Sequence, residues 1–386
     1  MAALPINIRR VETKADFKAF FEFPWTVYKN DPNWVPPLLS MRHEVFDKEK
    51  GAAWEYLEGD FFTAWRGDKI IGTIAAYINH RHNEFHQEQV GWFGAFECYD
   101  DHEVAAALLD TAVTWVKDKG YSAIRGPQTF TTHEDVGALV EGFSRPILLM
   151  PYNPSYYPRL FEAAGFVKVM DMMSFTYDRE TVLSSNALER LDKVTTRMMQ
   201  RNKITVRRFD IKRKSEEFAL LKKLYNAGWE QNWGFVPLTE RELNGLIESL
   251  GIFLDPRLVY FSYVDNQPAG FILAVPDFNQ VLQKTQARPG IPEFLSLIIA
   301  LFHWKVRPVM TWTRIPLMGV KPEYRGKGID ATMYFNLLRT ILTETPYPHN
   351  DSGWVLEINK NMIGIAETFG GIAYKRFRLF EKPTGA

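Results

Sequence analysis

The sequence has a single cysteine, Cys98, among 386 residues. One thiol excludes an internal disulfide and any cysteine-based metal knuckle. Nor is there an excess of charge: 46 Lys and Arg stand against 46 Asp and Glu. A balanced molecule has no general pull on nucleic acid, so none is expected as a partner. No run reaches the roughly 18 apolar residues that a bilayer span requires. Met1-Ala-Ala-Leu-Pro lacks both a basic n-region and an apolar h-region, so no signal peptide is expected. These absences predict a cytoplasmic protein.

Aromatic side chains are plentiful. The chain holds 28 Phe and 11 Trp within a hydrophobic content of 46%, enough for sizeable cores. Its length suits two domains, and the order of predicted elements repeats. Ile6-Asn-Ile-Arg-Arg-Val11 reads as a strand and Thr13 to Phe23 as a helix. The aromatic-proline loop Asn33-Trp-Val-Pro-Pro-Leu38 follows, then a hairpin around Arg66-Gly-Asp68. After residue 200 the same series returns as Ile204 to Phe209, Ser215 to Tyr225, Asn232-Trp-Gly-Phe-Val-Pro-Leu238 and a hairpin around Asp265-Asn-Gln267. Ile6 to Ile204 is 198 residues, Trp34 to Trp233 is 199 and Gly72 to Gly270 is 198. Three matches in register predict an internal duplication: α/β domains at 1–180 and 204–386, with a helical linker at 181–203.

One insertion breaks the register. Asn279 to Pro308 stands where the first half has Asn79 to Gln89, and it carries Phe294-Leu-Ser-Leu-Ile-Ile-Ala-Leu-Phe-His-Trp304. Eleven residues are too few to span a bilayer. A buried helix is the first expectation, and an acyl-chain tunnel or a membrane interface the alternatives. Arg197, Arg201, Lys203, Arg207, Arg208, Lys212, Arg213 and Lys214 crowd the junction between the halves. They read first as a solvated face, second as a patch for lipid headgroups. His80, His82 and His86 lack a convincing fourth ligand, so they read as solvated histidines on a loop, with no metal bound.

The most informative stretch is Leu317-Met-Gly-Val-Lys-Pro-Glu-Tyr-Arg-Gly-Lys-Gly-Ile329. An apolar strand ends at Pro322, which cannot donate to a ladder. Ile329, Met333, Leu337, Leu338 and Ile341 then recur at helical spacing. Gly326 and Gly328 between them permit close approach of backbone to a ligand. The free N–H groups of the first helical turn point at an anion, with Arg325 and Lys327 beside them.

Val320 to Ile329 resembles the acyl-CoA pyrophosphate loop of the GNAT N-acyltransferase superfamily. Leu160-Phe-Glu-Ala-Ala-Gly-Phe166 and Ala366-Glu-Thr-Phe-Gly-Gly371 resemble the segment that closes that fold. The resemblance implies two tandem GNAT-like domains, each a twisted mixed sheet flanked by helices, with acyl-CoA as co-substrate. It places the pantetheine arm along Met318 and Val320 and against Asn359, and the pyrophosphate on Arg325, Gly326, Lys327, Gly328 and Ile329. The matching stretch of the first half, Glu97 to Val104, has no glycine and carries Asp100, Asp101 and Glu103. Such carboxylates cap a helix and repel a pyrophosphate, so the first half is expected not to hold CoA.

Acyl transfer to nitrogen requires an unprotonated amine, a stabilised oxyanion and a proton for the departing thiolate. Where many GNAT enzymes keep an acidic Tyr, this chain has Phe161 in one half and Ala366 or Thr368 in the other. Glu230 is the candidate base, with Trp229, Asn232 and Trp233 around the acceptor. His133 and Glu134 form a second candidate, Tyr152 is a possible acid, and Asn153 shares its loop. Gly126-Pro127, Gly142-Phe143 and the Tyr-Asn-Pro-x-Tyr-Tyr segment are similar to a bacterial tandem-GNAT group related to bacterial ceramide synthase. That likeness implies a long-chain acyl-CoA, a small-molecule or lipid amine acceptor such as a sphingoid base, and peripheral contact with the inner face of the membrane. A non-catalytic CoA sensor is the alternative. A tRNA-dependent aminoacyl transferase fits less well, because zero net charge offers phosphates no basic field.

Overall fold

The computed structural model describes residues 4–132, 134–184, 186–229 and 233–385. In the first repeat the elements are β1 (Ile6–Arg10), α1 (Lys14–Glu22), α2 (Pro24–Val27), α3 (Leu39–Phe46), β2 (Leu57–Arg66) and β3 (Lys69–Asn79). Next come α4 (His80–His86), β4 (Val90–Cys98), α5 (His102–Asp118), β5 (Ala123–Gly126), β6 (Ala138–Glu141), α6 (Tyr157–Ala163) and β7 (Val167–Asp178). Helices α7 (Arg179–Leu183) and α8 (Ala187–Arg201) lead to β8 (Ile204–Arg208), α9 (Lys214–Trp229), α10 (Glu240–Ile252), β9 (Val259–Val264) and β10 (Gln267–Pro276). The chain ends with α11 (Asn279–Thr285), α12 (Glu293–Leu301), β11 (Trp312–Val320), α13 (Ile329–Glu344), β12 (His349–Leu356), α14 (Lys360–Thr368) and β13 (Ile372–Pro383).

Local chemistry sets several boundaries. Thr13 and Asp16 form a reciprocal capping box at the start of α1. Asp265 and Asn266 take φ of +47° and +62°, the left-handed pair that a two-residue hairpin needs.

The chain divides into two compact units that are not contiguous in sequence. Unit 1 is Met1–Met172 with Leu282–His303 and Lys375–Ala386; unit 2 is Met173–Val281 with Trp304–Tyr374. A cut at residue 180 therefore does not separate them. In unit 1 the sheet order is β1-β2-β3-β4-β5, followed by the end of β13, with β6 also paired to β13. Unit 2 repeats this as β8-β9-β10-β11-β12, followed by the end of β7. In both, the first four strands are antiparallel and the fifth is parallel to the fourth. The duplication is thus present in three dimensions, with the last strand of each repeat exchanged.

Each unit has its own core. Leu108, Leu109 and Ala112 of α5 pack with Phe93, Phe161 and Phe380 in unit 1. Met333, Leu337 and Leu338 of α13 pack with Ile272, Ala366 and Phe369 in unit 2. The insertion joins unit 1 through the Trp25 indole N–H, which donates to Ala287 O at 2.7 Å, and through Glu293, which accepts from Ser40 N at 2.8 Å.

Three expectations are corrected here. Helix α12 is not buried: Phe294, Leu295, Leu297, Ile298, Ile299 and Leu301 are all exposed, while small Ser296 and Ala300 face inward. His80, His82 and His86 lie on α4 rather than a loop. His82 is buried against Glu88, with Nε2 3.0 Å from Oε2, so it is not a solvated histidine.

Unit 1 also encloses a carboxyl. Glu97 on β4 accepts from the Tyr157 hydroxyl at 2.7 Å, and burial pushes its pKa from 4.5 up to about 7. The folded state then holds a proton that the unfolded chain releases near pH 4.5. Stability should fall as pH rises between those values, by up to about 3 kcal/mol at ~1.4 kcal/mol per pH unit. Glu97→Gln cannot ionise, so urea unfolding from pH 5 to pH 8 should show it gaining about 2 kcal/mol on wild type. Parallel curves for the two proteins would remove the buried-carboxyl account.

Candidate active site

In unit 2, β11 and β12 begin side by side and then part. They pair in parallel as Trp312↔His349, Thr313↔Asn350, Arg314↔Asp351 and Ile315↔Ser352, and the pairing goes no further. On its other edge β11 stays paired with β10 to Gly270↔Val320, but the register slips by one between Leu273↔Leu317 and Val275↔Arg314. Ile315 and Pro316 therefore stand opposite Ala274 alone, which is a β-bulge. The bulge bends β11, and Pro316 has no N–H with which to rejoin a ladder. Leu317 to Val320 then present one backbone edge that β12 does not use. Gly228 of α9 closes on this segment: a Cβ there would lie 2.8 Å from Gly319 Cα.

At the end of that edge sits the glycine turn. Gly326 and Gly328 have φ of +74° and +78°, and α13 starts at Gly328 without a side-chain cap. A Cβ added to Gly326 would meet nothing within 4 Å. The helix dipole and the N–H groups of Ile329 and Asp330 thus point to the place of an anion, whereas Ala331 N donates to Asp330 Oδ1 at 2.9 Å. The Lys327 ammonium stands 5.0 Å from the centre of the Tyr324 ring, and Lys327 O accepts from Asn202 Nδ2 at 2.8 Å. Arg325 has a different task from the one its sequence suggests. Its Nη2 donates to Gly228 O at 2.9 Å and its Nε to Val320 O at 3.3 Å, so it ties α9 to the turn.

A charged cluster lies behind the point of parting. Arg314 and Asp351 are buried register partners, with Nε 3.6 Å from Oδ1. Arg314 also donates to Gly353 O from Nε at 3.2 Å and from Nη2 at 3.1 Å. The Tyr374 hydroxyl donates to Asp351 Oδ2 at 2.7 Å. Burial, then the charge of Asp351, pushes the Tyr374 phenol far up, so it is a protonated donor at neutral pH. Sequence reading missed all three. The available signal was a lone Arg in one apolar strand and an Asp in the next, since such residues are rarely buried unless paired.

The remaining expected residues divide. Met318 lies opposite Ile272 on β11, Val320 ends that strand, and Ile329 is buried at the start of α13. Asn359 Oδ1 accepts from Met362 N at 3.2 Å and so caps α14. Ala366, where many relatives of the fold keep Tyr, has its carbonyl taken by the Tyr177 hydroxyl at 3.0 Å. Glu230 and Asn232 lie outside the described residues, between the end of α9 at Trp229 and the turn at Trp233. His133 is also outside them, and Glu134 beside it is exposed in unit 1. Tyr152 donates to Asp31 Oδ2 at 2.8 Å, and buried Asn153 is spent on Leu139, accepting from its N at 2.6 Å.

Unit 1 has the same frame with different filling. Its β4–β5 pairing ends at Trp92↔Arg125, and β4 bulges at Ala95 and Phe96 opposite Ile74. Gln128 N then donates to Phe93 O at 2.9 Å, and a Cβ on Gly94 would lie 1.9 Å from Gln128 O. The chain's own backbone closes that gap. At the start of α5 the Asp101 carboxylate accepts from Glu103 N and Val104 N, occupying the place an anion would take.

No family model matches the chain. It is 33% identical over 380 residues to protein YghO of Escherichia coli (strain K12), covering 97% of this chain and 95% of that protein. It is 30% identical over 382 residues to a bacterial ceramide synthase of Caulobacter vibrioides (strain NA1000 / CB15N), covering 98% and 97%. Among solved structures, a tandem GNAT protein from the clavulanic acid biosynthesis pathway aligns over 99% of both chains with a TM-score of 0.54 at 10% identity, a likeness of fold. With a duplicated sheet that parts at β11, a glycine turn at its end and relatives matched along nearly its whole length, the chain belongs to the bacterial tandem-GNAT group of N-acyltransferases related to bacterial ceramide synthase.

Proposed function

We propose that this acyltransferase takes its acyl group from acyl-CoA bound to unit 2 and passes it to an amine. The observation that carries the reading is the junction of the β11 segment that has parted from β12, Leu317 to Val320, with the uncapped turn Gly326 to Gly328. An extended ligand with a pyrophosphate at one end suits that pair of features. The similar ceramide synthase supports a long-chain donor and a lipid amine of the sphingoid kind.

In this reading, backbone N–H groups of the strand ending at Val320 stabilise the oxyanion as nitrogen attacks the thioester carbonyl. Glu230 takes the proton released by nitrogen, with Trp229, Asn232 and Trp233 around the acceptor. The C–N bond forms, the C–S bond breaks, and Tyr374 supplies a proton to the sulfur, held in place by Asp351 and Arg314. Protonation of the thiolate by water would leave Tyr374 a positioning group.

Thermal-shift titration with free CoA, acetyl-CoA and palmitoyl-CoA tests the donor site. Each CoA species that binds should raise Tm, and palmitoyl-CoA should do so at the lowest concentration. Lys327→Glu should weaken every response by about tenfold or more while leaving the unliganded Tm in place, because an exposed ammonium next to a diphosphate contributes roughly 1–2 kcal/mol. No shift with any CoA species would end the proposal. A shift without turnover of any amine would select the sensor reading instead.

Tyr374→Phe tests the proton donor. The variant should lower kcat by about a hundredfold, within the usual range for a lost acid. KM for acyl-CoA should be little changed, and because the wild-type phenol stays protonated across the accessible range, the pH–rate profile should keep its shape. Wild-type kcat in a folded variant would transfer the role to water.

A further inference from the structure

Helix α12 packs the wrong way round for a soluble protein. Ser296 and Ala300, one turn apart, are its inward residues, at 3% and 5% exposure, whereas Phe294 and Ile298 stand at 59% each. Leu295, Leu297, Ile299 and Leu301 are exposed as well, and Ile291 and Phe302 extend the apolar run at either end. A continuous apolar surface of this kind marks a site that something apolar covers. Small inward residues let the helix lie close to the body of unit 1, so its large side chains project.

The charges beside it identify the cover. Lys284 and Arg288 of unit 1 precede the helix, both exposed. From there to the end of the helix at Leu301 the sole acid is Glu293, whose carboxylate accepts from Ser40 N. Bulky apolar residues within a basic margin complement a bilayer with anionic headgroups. A second copy of this chain would bring its own basic margin against the first, which is repulsive. Nine residues are too short to cross a membrane, and among the described residues no helix is long and apolar enough to do so. A helix lying in the interface satisfies both the length and the charge.

We infer that α12 docks this chain on an anionic phospholipid surface, with Phe294 and Ile298 entering the acyl region and Lys284 and Arg288 meeting the phosphates. Docking requires no CoA, so it stands or falls separately from the donor site. It would deliver the enzyme to the surface where a lipid amine resides.

Vesicle flotation of the full chain tests this. Wild type should float with mixed phosphatidylcholine–phosphatidylglycerol vesicles, and much less with phosphatidylcholine alone or at high salt. Ile298→Asp should lower vesicle affinity by about tenfold or more, and Lys284→Glu/Arg288→Glu should do the same for anionic vesicles only. Both changes are at exposed positions, so Tm and the CoA-induced shift should match wild type. Failure of wild type to float with either vesicle overturns the inference. So does undiminished flotation of Ile298→Asp, or a wild-type dimer that Ile298→Asp dissolves without any vesicle binding.

Discussion

The parting of β11 from β12 depends on the backbone at Ile315 and Pro316. The bulge there turns the strand, and the imino nitrogen of Pro316 prevents it from returning to the ladder. A strand edge that its neighbour has left is ordinarily a liability, since it offers N–H and C=O groups to any passing chain. Here Gly228 of α9 closes on it and the glycine turn follows. Arg325 links these parts by donating to backbone on both sides, at Gly228 and Val320. The loop is held in shape by its guanidinium, which leaves Lys327 and the helix terminus to attract the phosphate of the proposed donor.

Comparison of the units separates what the fold supplies from what the site requires. Both have the bulge and the short parallel pairing. Unit 1 then fills its gap with Gln128 and its helix terminus with Asp101. Two local features, one of backbone and one a carboxylate, thus set unit 1 apart from the unit proposed to hold the donor.

Much of this was legible in the residues. The duplication was visible because hairpin turns and aromatic-proline loops have fixed chemistry and recur at equal offsets. The glycine turn was visible because positive φ selects glycine. The cluster of Arg314, Asp351 and Tyr374 was not, since parallel pairing brings together residues that lie far apart in the chain. The exposure of α12 was not visible either. An apolar run reads alike whether it faces a core or a lipid, and only the small inward pair, Ser296 and Ala300, carried a hint. The resemblance likewise put closing segments at Leu160 to Phe166 and Ala366 to Gly371 without saying which sheet the strand after each completes.

That last feature constrains how this chain can be made and altered. The sixth place in each sheet is taken by a strand that begins in the other unit's repeat: residues 173–178 in unit 2 and residues 375–383 in unit 1. A fragment ending near residue 180 would leave β5 without its neighbour, and the complementary fragment would leave β12 without one. During synthesis unit 1 cannot close until residues 375–383 have left the ribosome, long after core residues such as Phe93 and Leu108. The half without a glycine turn therefore cannot be discarded as spare: each repeat is a splint for the other.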